Sequence, residues 1–489
     1  MPDFLRLIRR EVAGGGGKAL LQLSRKFLRR IKNILIFNSM RVPPAREKKL
    51  RPLQLAAIIF LTVSGGPYGL EPLFTYVGDH GALLLLLIIP LLWDLPTILT
   101  VLELNSLMPV TGGYYEWVKH TLGIRWAFFE GWWTWFYSFV DLAIYPVLFV
   151  GYASFFFPQA ALYKIPICLV IIWISAIVNI VGIVKVGRVS QVLGTIVVLA
   201  FLVLFGCIFF RHSGPLTLPH PSLGGNGFSP FSMALYTVMW NFLGWDNVTT
   251  YAGEVTKPIR SYLVSISIAF VAVYVIYLLS AWAVHQWGIS AVALNNGGFP
   301  VLGVLAGGYW LGVLLAAGGM ASTLGLYLAV LLSISRVPQV MASDNLLPQR
   351  LCVLHSRFGT PYLSIIASSL VVSVLVFWTF SDLVIMDIML YGAGLSLEYI
   401  ALILLRMRAP MQHRPFRIPL NKTGLIVMAI IPMGLYLIAL SGAIYSAEKA
   451  VPVFFALGLL VSAEVVWRLL LWRKPELAAA GAGGRNAEL

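Results

Sequence analysis

The sequence predicts an all-α integral membrane protein of about twelve transmembrane helices, and three observations predict it. The 489 residues are 59% hydrophobic and only 11% charged, whereas a soluble domain carries roughly 25% charged residues. Mean hydropathy is +0.85. Apolar runs of about 20 residues, the length that crosses the hydrocarbon layer, recur with short connections from residue 52 to residue 472.

The expected spans lie near 52–77, 82–108, 124–156, 165–184, 189–210, 229–253, 262–286, 305–335, 362–380, 382–405, 423–446 and 451–472. They divide the chain into a basic N-terminal tail (1–51), a transmembrane domain (52–472) and a C-terminal tail (473–489). The net charge of +15 raises nucleic acid as a partner, but its distribution has another meaning. Residues 1–51 hold 14 Lys and Arg against Asp3, Glu11 and Glu47, and cytoplasmic flanks attract such charge. With that end in the cytoplasm, alternate connections on the same side gather Lys119, Arg125, Lys185, Arg188, Lys257 and Arg260, and the later basic loops agree. Only Lys164, Arg211 and Lys449 fall on the other side, a split of 32 to 3. The basic excess therefore reads as topology, with both termini inside a cell membrane, and nucleic acid is not expected.

In the tail, Leu20, Leu23, Phe27, Leu28, Ile31, Ile34 and Leu35 recur at three- and four-residue steps beside Arg25, Lys26, Arg29, Arg30 and Lys32. An interfacial helix on anionic lipid and a disordered basic tail both fit this pattern. A secretory leader is not expected, because the first long apolar run begins near residue 52 and continues for a full span. Cys168, Cys207 and Cys352 fall in different segments without C-x-x-C spacing, and the histidines are scattered without H-E-x-x-H. No metal site or cofactor is expected.

Two spans are interrupted. Ser64-Gly65-Gly66-Pro67-Tyr68-Gly69, with Glu71 just beyond, breaks the first; Asn241-Phe242-Leu243-Gly244-Trp245-Asp246 breaks the sixth, about 180 residues later. Breaks at corresponding points of two hydrophobic halves point to a carrier's binding site near the bilayer midplane. An unwound turn exposes N–H groups at one half-helix and C=O groups at the other, so it offers both partial charges. Gly65, Gly66 and Gly69 permit unusual backbone angles. Pro67 suits the first turn of the resuming helix and has no N–H, leaving one donor fewer for a substrate carboxylate. Trp240 and Trp245 offer aromatic faces to an alkylammonium, Asp246 offers its counter-charge, and Asn241 can donate or accept.

Every Lys and Arg is expected in a tail, loop or helix end, so the ionisable groups at membrane depth are acidic: Glu71, Asp94, Asp141, Asp246, Asp387 and Glu398. Such residues are expensive in lipid and mark functional sites. Without an internal base, each must be protonated, hydrogen-bonded or matched to a cation from solution. Glu71, Asp141 and Asp246 are the candidates for carrying a coupling proton. Asp141 shares a helix face with Tyr145 and reads equally well as a structural hydrogen-bonded pair. Glu103, Glu116, Glu130 and Glu254, near cytoplasmic helix ends, read as partners of Lys or Arg. The aromatic run from Trp126 to Tyr137 reads as an interfacial belt. Ser322 and Thr323 read as caps of local backbone or as ligands of a small cation such as sodium.

At these residues the chain resembles the amino acid-polyamine-organocation superfamily of permeases. The resemblance covers about residues 52–470 and is carried by SGGPYGLE (64–71), MPVTGGYYEW (108–117), EGWWTWFYSFVDLAIYPVLF (130–149), WNFLGWDNVTTYAGEV (240–255) and SRVPQVMASDNLLP (335–348). Three of these look closest to the branch of polyamine:proton symporters and L-type amino acid transporters. The resemblance implies a five-plus-five inverted repeat of the LeuT type, with the first and sixth spans broken around substrate, the third, eighth and tenth lining the path, and the last two outside the repeat. It places Ser64, Gly65, Gly66, Tyr68, Glu71, Trp240, Asn241, Trp245 and Asp246 beside substrate, with Tyr145 and Tyr391 as further carry-overs. One departure stands out. Some members carry a lysine in the middle of the fifth span, whereas residues 192–209 are apolar or small here.

The expected function is a secondary active permease for amino acids or polyamines, working by alternating access as a proton symporter or an exchanger, with a lean toward cationic substrates. A neutral amino acid carrier is the alternative and a cation channel a more remote one. No nucleophile–base constellation or metal cluster is visible, so an enzyme is not expected.

Overall fold

The computed structural model describes residues 50–211, 214–222, 227–445, 450–475 and 477, all within the compact unit Lys48–Leu489. The two readings of the N-terminal tail, and most of the C-terminal tail, fall outside the described residues.

Helix α1 (Pro52–Val63) opens on a proline, whose missing N–H is harmless at a first turn. Helix α2 (Glu71–Ile89) resumes after the first break and is kinked at Gly78 (φ 68°). A π-helical turn (Pro90–Asp94) leads into α3 (Leu95–Leu107). Next come α4 (Tyr114–Leu122), α5 (Ile124–Ala153), α6 (Lys164–Val181), α7 (Ile183–Arg211) and α8 (Phe228–Asn241). The sixth span was expected to run to residue 253, but α-helix ends at Asn241 and does not resume after the break: Gly244 turns the chain, and short 3-10 turns at Asn247–Thr250 and Ala252–Glu254 carry it to α9 (Pro258–Trp287). The remainder is α10 (Ala291–Gly307, kinked at Gly298), α11 (Tyr309–Ile334), α12 (Arg336–Ser343), α13 (Tyr362–Leu375), α14 (Phe380–Arg408), α15 (Lys422–Tyr445) and α16 (Ala450–Arg473).

Each expected span coincides with helix. Among the described residues, nine stretches are long and apolar enough to cross a membrane; the first, sixth and ninth spans contain only the shorter α1, α8 and α13. Helices α4, α10 and α12 were not expected, because none carries a full apolar run. In α5, α11 and α14, 72% of the apolar window is buried, against 22% in α15 and 28% in α16. The third, eighth and tenth spans therefore form the interior, and the last two lie on its periphery.

The expectation that acids near helix ends meet bases holds for three of four. Glu116 Oε1 lies 3.2 Å from Lys119 Nζ, and Glu254 Oε1 lies 3.0 Å from Arg336 Nε. Glu103, fully buried, is gripped by Arg406 through two 2.6 Å hydrogen bonds, faces Arg414 Nε at 3.1 Å and accepts from the Ile418 N–H. Among the described residues Glu130 has no such base and instead accepts from Thr134 Oγ1 at 3.1 Å. Removing the acid from a buried ion cluster strands its guanidinium groups, at a cost of about 3–5 kcal/mol. Glu103→Ala is therefore expected to lower the midpoint of thermal unfolding in detergent, read by tryptophan fluorescence, whereas Glu464→Ala, at an exposed pair with Arg468 and Arg125, should leave it in place.

Candidate functional site

The first break is held open by its glycines. Gly65 has φ 59°, and a Cβ there would lie 2.6 Å from Ser322 Oγ and 2.8 Å from Leu326 Cδ1, so any larger residue meets both backbone strain and a clash. The second break turns at Gly244 (φ 99°), whose missing Cβ would approach the Thr62 carbonyl oxygen to 3.4 Å. The two unwound turns thus pack directly on each other.

Two side chains, Tyr277 and Asn241, tie them. Ser64 Oγ donates to Tyr277 Oη at 2.8 Å, and that hydroxyl lies 3.1 Å from the Gly66 carbonyl, 3.0 Å from the Asn241 carbonyl and 3.3 Å from Asn241 Oδ1. Asn241 Nδ2 donates to the Thr237 carbonyl at 2.8 Å and reaches the Gly69 carbonyl at 3.4 Å. Tyr277, on α9, was not anticipated, since nothing in its local sequence separates it from an ordinary packed tyrosine.

Between the breaks lies a small cavity of about 10 Å³, lined by Ser64, Asp141, Tyr145, Trp240, Asn241 and Leu326, among others. That is room for about one water molecule. Asp141 Oδ1 accepts from Tyr145 Oη at 2.6 Å and from Trp240 Nε1 at 3.4 Å, and the Tyr145 and Trp240 rings stand 6.4 Å apart. Of the expected site residues, Ser64, Asp141, Tyr145, Trp240 and Asn241 meet here.

The others form two further groups. Glu71, at the start of α2, accepts from the Gly69 N–H at 2.7 Å and from Tyr152 Oη at 3.0 Å; its Oε1 also sits 3.1 Å from where a Cβ on Gly298 would be, at the α10 kink. Tyr68 donates to the Leu315 carbonyl and packs edge-on against Tyr152 and Phe201. Glu71 and Tyr68 therefore sit apart from the cavity and do not line it. Tyr152 lies seven residues beyond Tyr145 on the same face of α5, a spacing that could have revealed it.

Toward the other end, Asp246 accepts from Tyr391 Oη at 2.8 Å with Glu398 against it. Glu130 and Glu398 thus belong with Asp246. Trp245 turns away, donating to Asp94 Oδ1 at 3.3 Å and packing on Phe270, so it offers no face to the cavity. Gly66 lies next to α7, where its missing Cβ would meet Val197 at 2.6 Å. Beyond Asp246 the chain is tied by backbone pairing: the Leu50 N–H donates to the Glu254 carbonyl, the Thr256 N–H to the Leu50 carbonyl and the Gly112 N–H to the Thr250 carbonyl. Beside it, burial of the Lys119 ammonium is outweighed by Asp344 and Glu116, which hold its pKa above the ordinary value.

Thr323 caps local carbonyls of Gly319 and Met320, while Ser322 Oγ has no partner. Away from the path, Asp79, His80 and His285 offer ligand atoms within 4.8 Å of one another, a grouping that scattered histidines did not disclose.

Two unwound helices clasped round a small cavity that Asp141 lines are the mark of a multipass membrane carrier. Residues 50–467 match the family model described as amino acid permease, and the chain belongs to this family, within the amino acid-polyamine-organocation superfamily. It is similar to a probable polyamine transporter of Arabidopsis thaliana, 32% identical over 400 residues that cover 80% of this chain and 79% of that protein. A polyamine transporter of Oryza sativa subsp. japonica is 32% identical over 81% of this chain and 75% of its own length. A serine/threonine exchanger of Bacillus subtilis (strain 168) is 23% identical over 76% of this chain and 87% of its own length. The protein is a secondary transporter and not an enzyme.

Deleting the Tyr277 hydroxyl leaves buried polar groups of both breaks short of a partner, a loss of about 1–3 kcal/mol. Tyr277→Phe is expected to reach the membrane at normal abundance but to transport at least about tenfold more slowly, as measured by initial uptake rates; normal turnover would show that the clasp is dispensable.

Proposed function

We propose that this permease carries polyamines across the cell membrane by alternating access, with Asp141 as the fixed counter-charge for a substrate ammonium. The observation that carries the reading is how the polar groups of the two breaks are used. In the first break the N–H of Gly65 goes to the Phe60 carbonyl, that of Gly66 to Ser64 Oγ and that of Gly69 to Glu71, so these donors are not left for the carboxylate of an amino acid. Asp141, by contrast, is 2% exposed, and among the described residues no Lys or Arg pairs with it. Its carboxylate beside Trp240 and Tyr145 suits an alkylammonium, which gains both a charge partner and aromatic faces. The relatives named as polyamine transporters support the same substrate class.

The remaining parts of the reading follow from charge and topology. The transporter domain occupies about 52–472 as a five-plus-five inverted repeat of the LeuT type with two added helices, and the basic flanks set both termini in the cytoplasm. Glu71 acts in gating. Asp246, against Glu398 with no base, carries the coupling proton, which an arriving ammonium displaces. Sodium at Ser322 is the second coupling reading, favoured by its unpartnered hydroxyl beside the first break.

Uptake into proteoliposomes, with putrescine, spermidine, arginine and leucine competing at two pH values, tests this. Polyamines are expected to be carried and to compete with one another. Asp141→Asn should cut their uptake at least about tenfold, because a charge-assisted partner is lost. An imposed proton gradient should accelerate wild-type uptake but not uptake by Asp246→Asn. Transport of leucine or arginine with none of either polyamine would overturn the reading, and acceleration by sodium but not by protons would move the coupling to Ser322.

A further inference from the structure

Of the buried acids that pair with no base among the described residues, Glu71 and Asp94 stand apart, and the others gather along one seam. Helices α5 and α14 run antiparallel in register. Glu130 lies with Glu398, the Tyr137 and Tyr391 rings meet edge-on at 5.2 Å, and Asp141 lies near Asp387. Steps of seven and four residues along α5 are matched by equal steps back along α14, so on each helix the acids and the tyrosine share one face. Contact along the seam is close: a Cβ on Gly394 would stand 3.1 Å from Glu130 Oε1 and 3.3 Å from Thr134 Oγ1.

The seam is built for something it does not itself contain. Glu130, Asp387 and Glu398 are each at most 1% exposed. Glu130 Oε2 and both oxygens of Asp387 lack a hydrogen-bond donor, Glu398 has only the Asp246 carboxyl against it, and the hydroxyls of Tyr137 and Tyr114 have no partner. Tyr114 lies close enough to Asp246, Glu130 and Glu398 to feel all three charges. Buried polar groups left in this state are costly unless a ligand completes them. Nearby bases are committed elsewhere, Arg406 to Glu103, Arg336 to Glu254 and Lys119 to Glu116 and Asp344.

Eleven residues separate Glu130 from Asp141, and eleven separate Asp387 from Glu398, so each helix sets its two carboxylates about 16 Å apart along its axis. In a linear tetraamine such as spermine, thirteen bonds join the terminal nitrogens, and at about 1.25 Å of reach per bond they span about 16 Å. A triamine reaches about 11 Å and a four-carbon diamine about 6 Å on the same basis.

We infer that the α5–α14 seam binds long polyamines lengthwise. One terminal ammonium sits between Asp141 and Asp387 and the other between Glu130 and Glu398, Asp246 serves an inner ammonium, and the parted Tyr137–Tyr391 pair flanks the methylene chain. This rests on the proposed polyamine substrate and adds a chain-length preference. In the present closed conformation the two tyrosines fill the middle of the seam and must separate for substrate to lie there.

The full chain in proteoliposomes decides it through half-saturating concentrations of putrescine, spermidine and spermine. In the wild type affinity is expected to rise with length. Glu398→Gln and Glu130→Gln should weaken spermine at least about tenfold more than they weaken putrescine, and the remaining putrescine transport also shows that the variants fold. Asp387→Asn should weaken all three. Equal losses for every amine, as a proton relay would give, or no loss at all, overturn the seam while leaving polyamine transport standing; failure of the wild type to carry any amine overturns both. A measurement on the wild type alone covers variants that do not fold: inhibition by α,ω-diaminoalkanes should strengthen up to the twelve-carbon member, beyond that expected from the monoamine of equal length, and inhibition that follows hydrophobicity alone sinks the inference.

Discussion

Everything in this protein depends on one constraint: at membrane depth, backbone groups released from a helix must find partners inside the protein. Two segments are unwound here, and their N–H and C=O groups are satisfied by each other and by a few side chains. Tyr277 serves the Gly66 and Asn241 carbonyls and Ser64, Asn241 ties its own helix to the Gly69 carbonyl, and Glu71 takes the Gly69 N–H. The first break satisfies its own N–H groups locally, but Tyr277 and Asn241 bridge the carbonyls of both breaks, so a change of shape in one is felt by the other. That mutual dependence is what a carrier requires, since movement at one end must be felt at the other.

The same low-dielectric interior sorts the charges. Acids that lie near the basic loops are neutralised in place, as Glu103 is by Arg406 and Arg414. Those along α5, α14 and the second break are not. In water an isolated carboxylate costs little, but buried it must be neutralised by a proton or a cation. Neutralisation that comes from outside gives an ion or an ammonium a place to bind without further design, and it explains why the interior helices are also the acid-bearing ones.

Much of this was legible in the sequence, and the remainder was hidden for identifiable reasons. Apolar length revealed the spans, and Gly and Pro clusters revealed both breaks, because these signals are local. Partners are not local. Glu130 sits six residues into α5 and looks like any helix-end acid; only the antiparallel register of α14, more than 250 residues on, sets it beside Glu398 and away from every base. Trp245 has the composition of an aromatic site residue, but the turn at Gly244 aims it at Asp94. Tyr277 belongs to a long helix with nothing to distinguish it. The glycine-kinked α10, which caps Glu71, escaped notice because the kink leaves each half too short to show a span.

The two seals differ in strength. At the Glu71 end, closure rests on two hydrogen bonds to one carboxylate and on edge-on packing among Tyr68, Tyr152 and Phe201. At the other end, Leu50 is paired on both sides by backbone bonds, residues 111–113 pair with the turn at Thr250–Tyr251, and the Arg336–Glu254 and Lys119–Asp344 ion pairs flank the closure. At about 1 kcal/mol for each hydrogen bond and more for the charged ones, the second seal outweighs the first by several interactions. Asp246 leads straight into the turns at Asn247–Thr250 and Ala252–Glu254 that take part in this second closure, so a cation reaching it would act on the end that has more bonds to break.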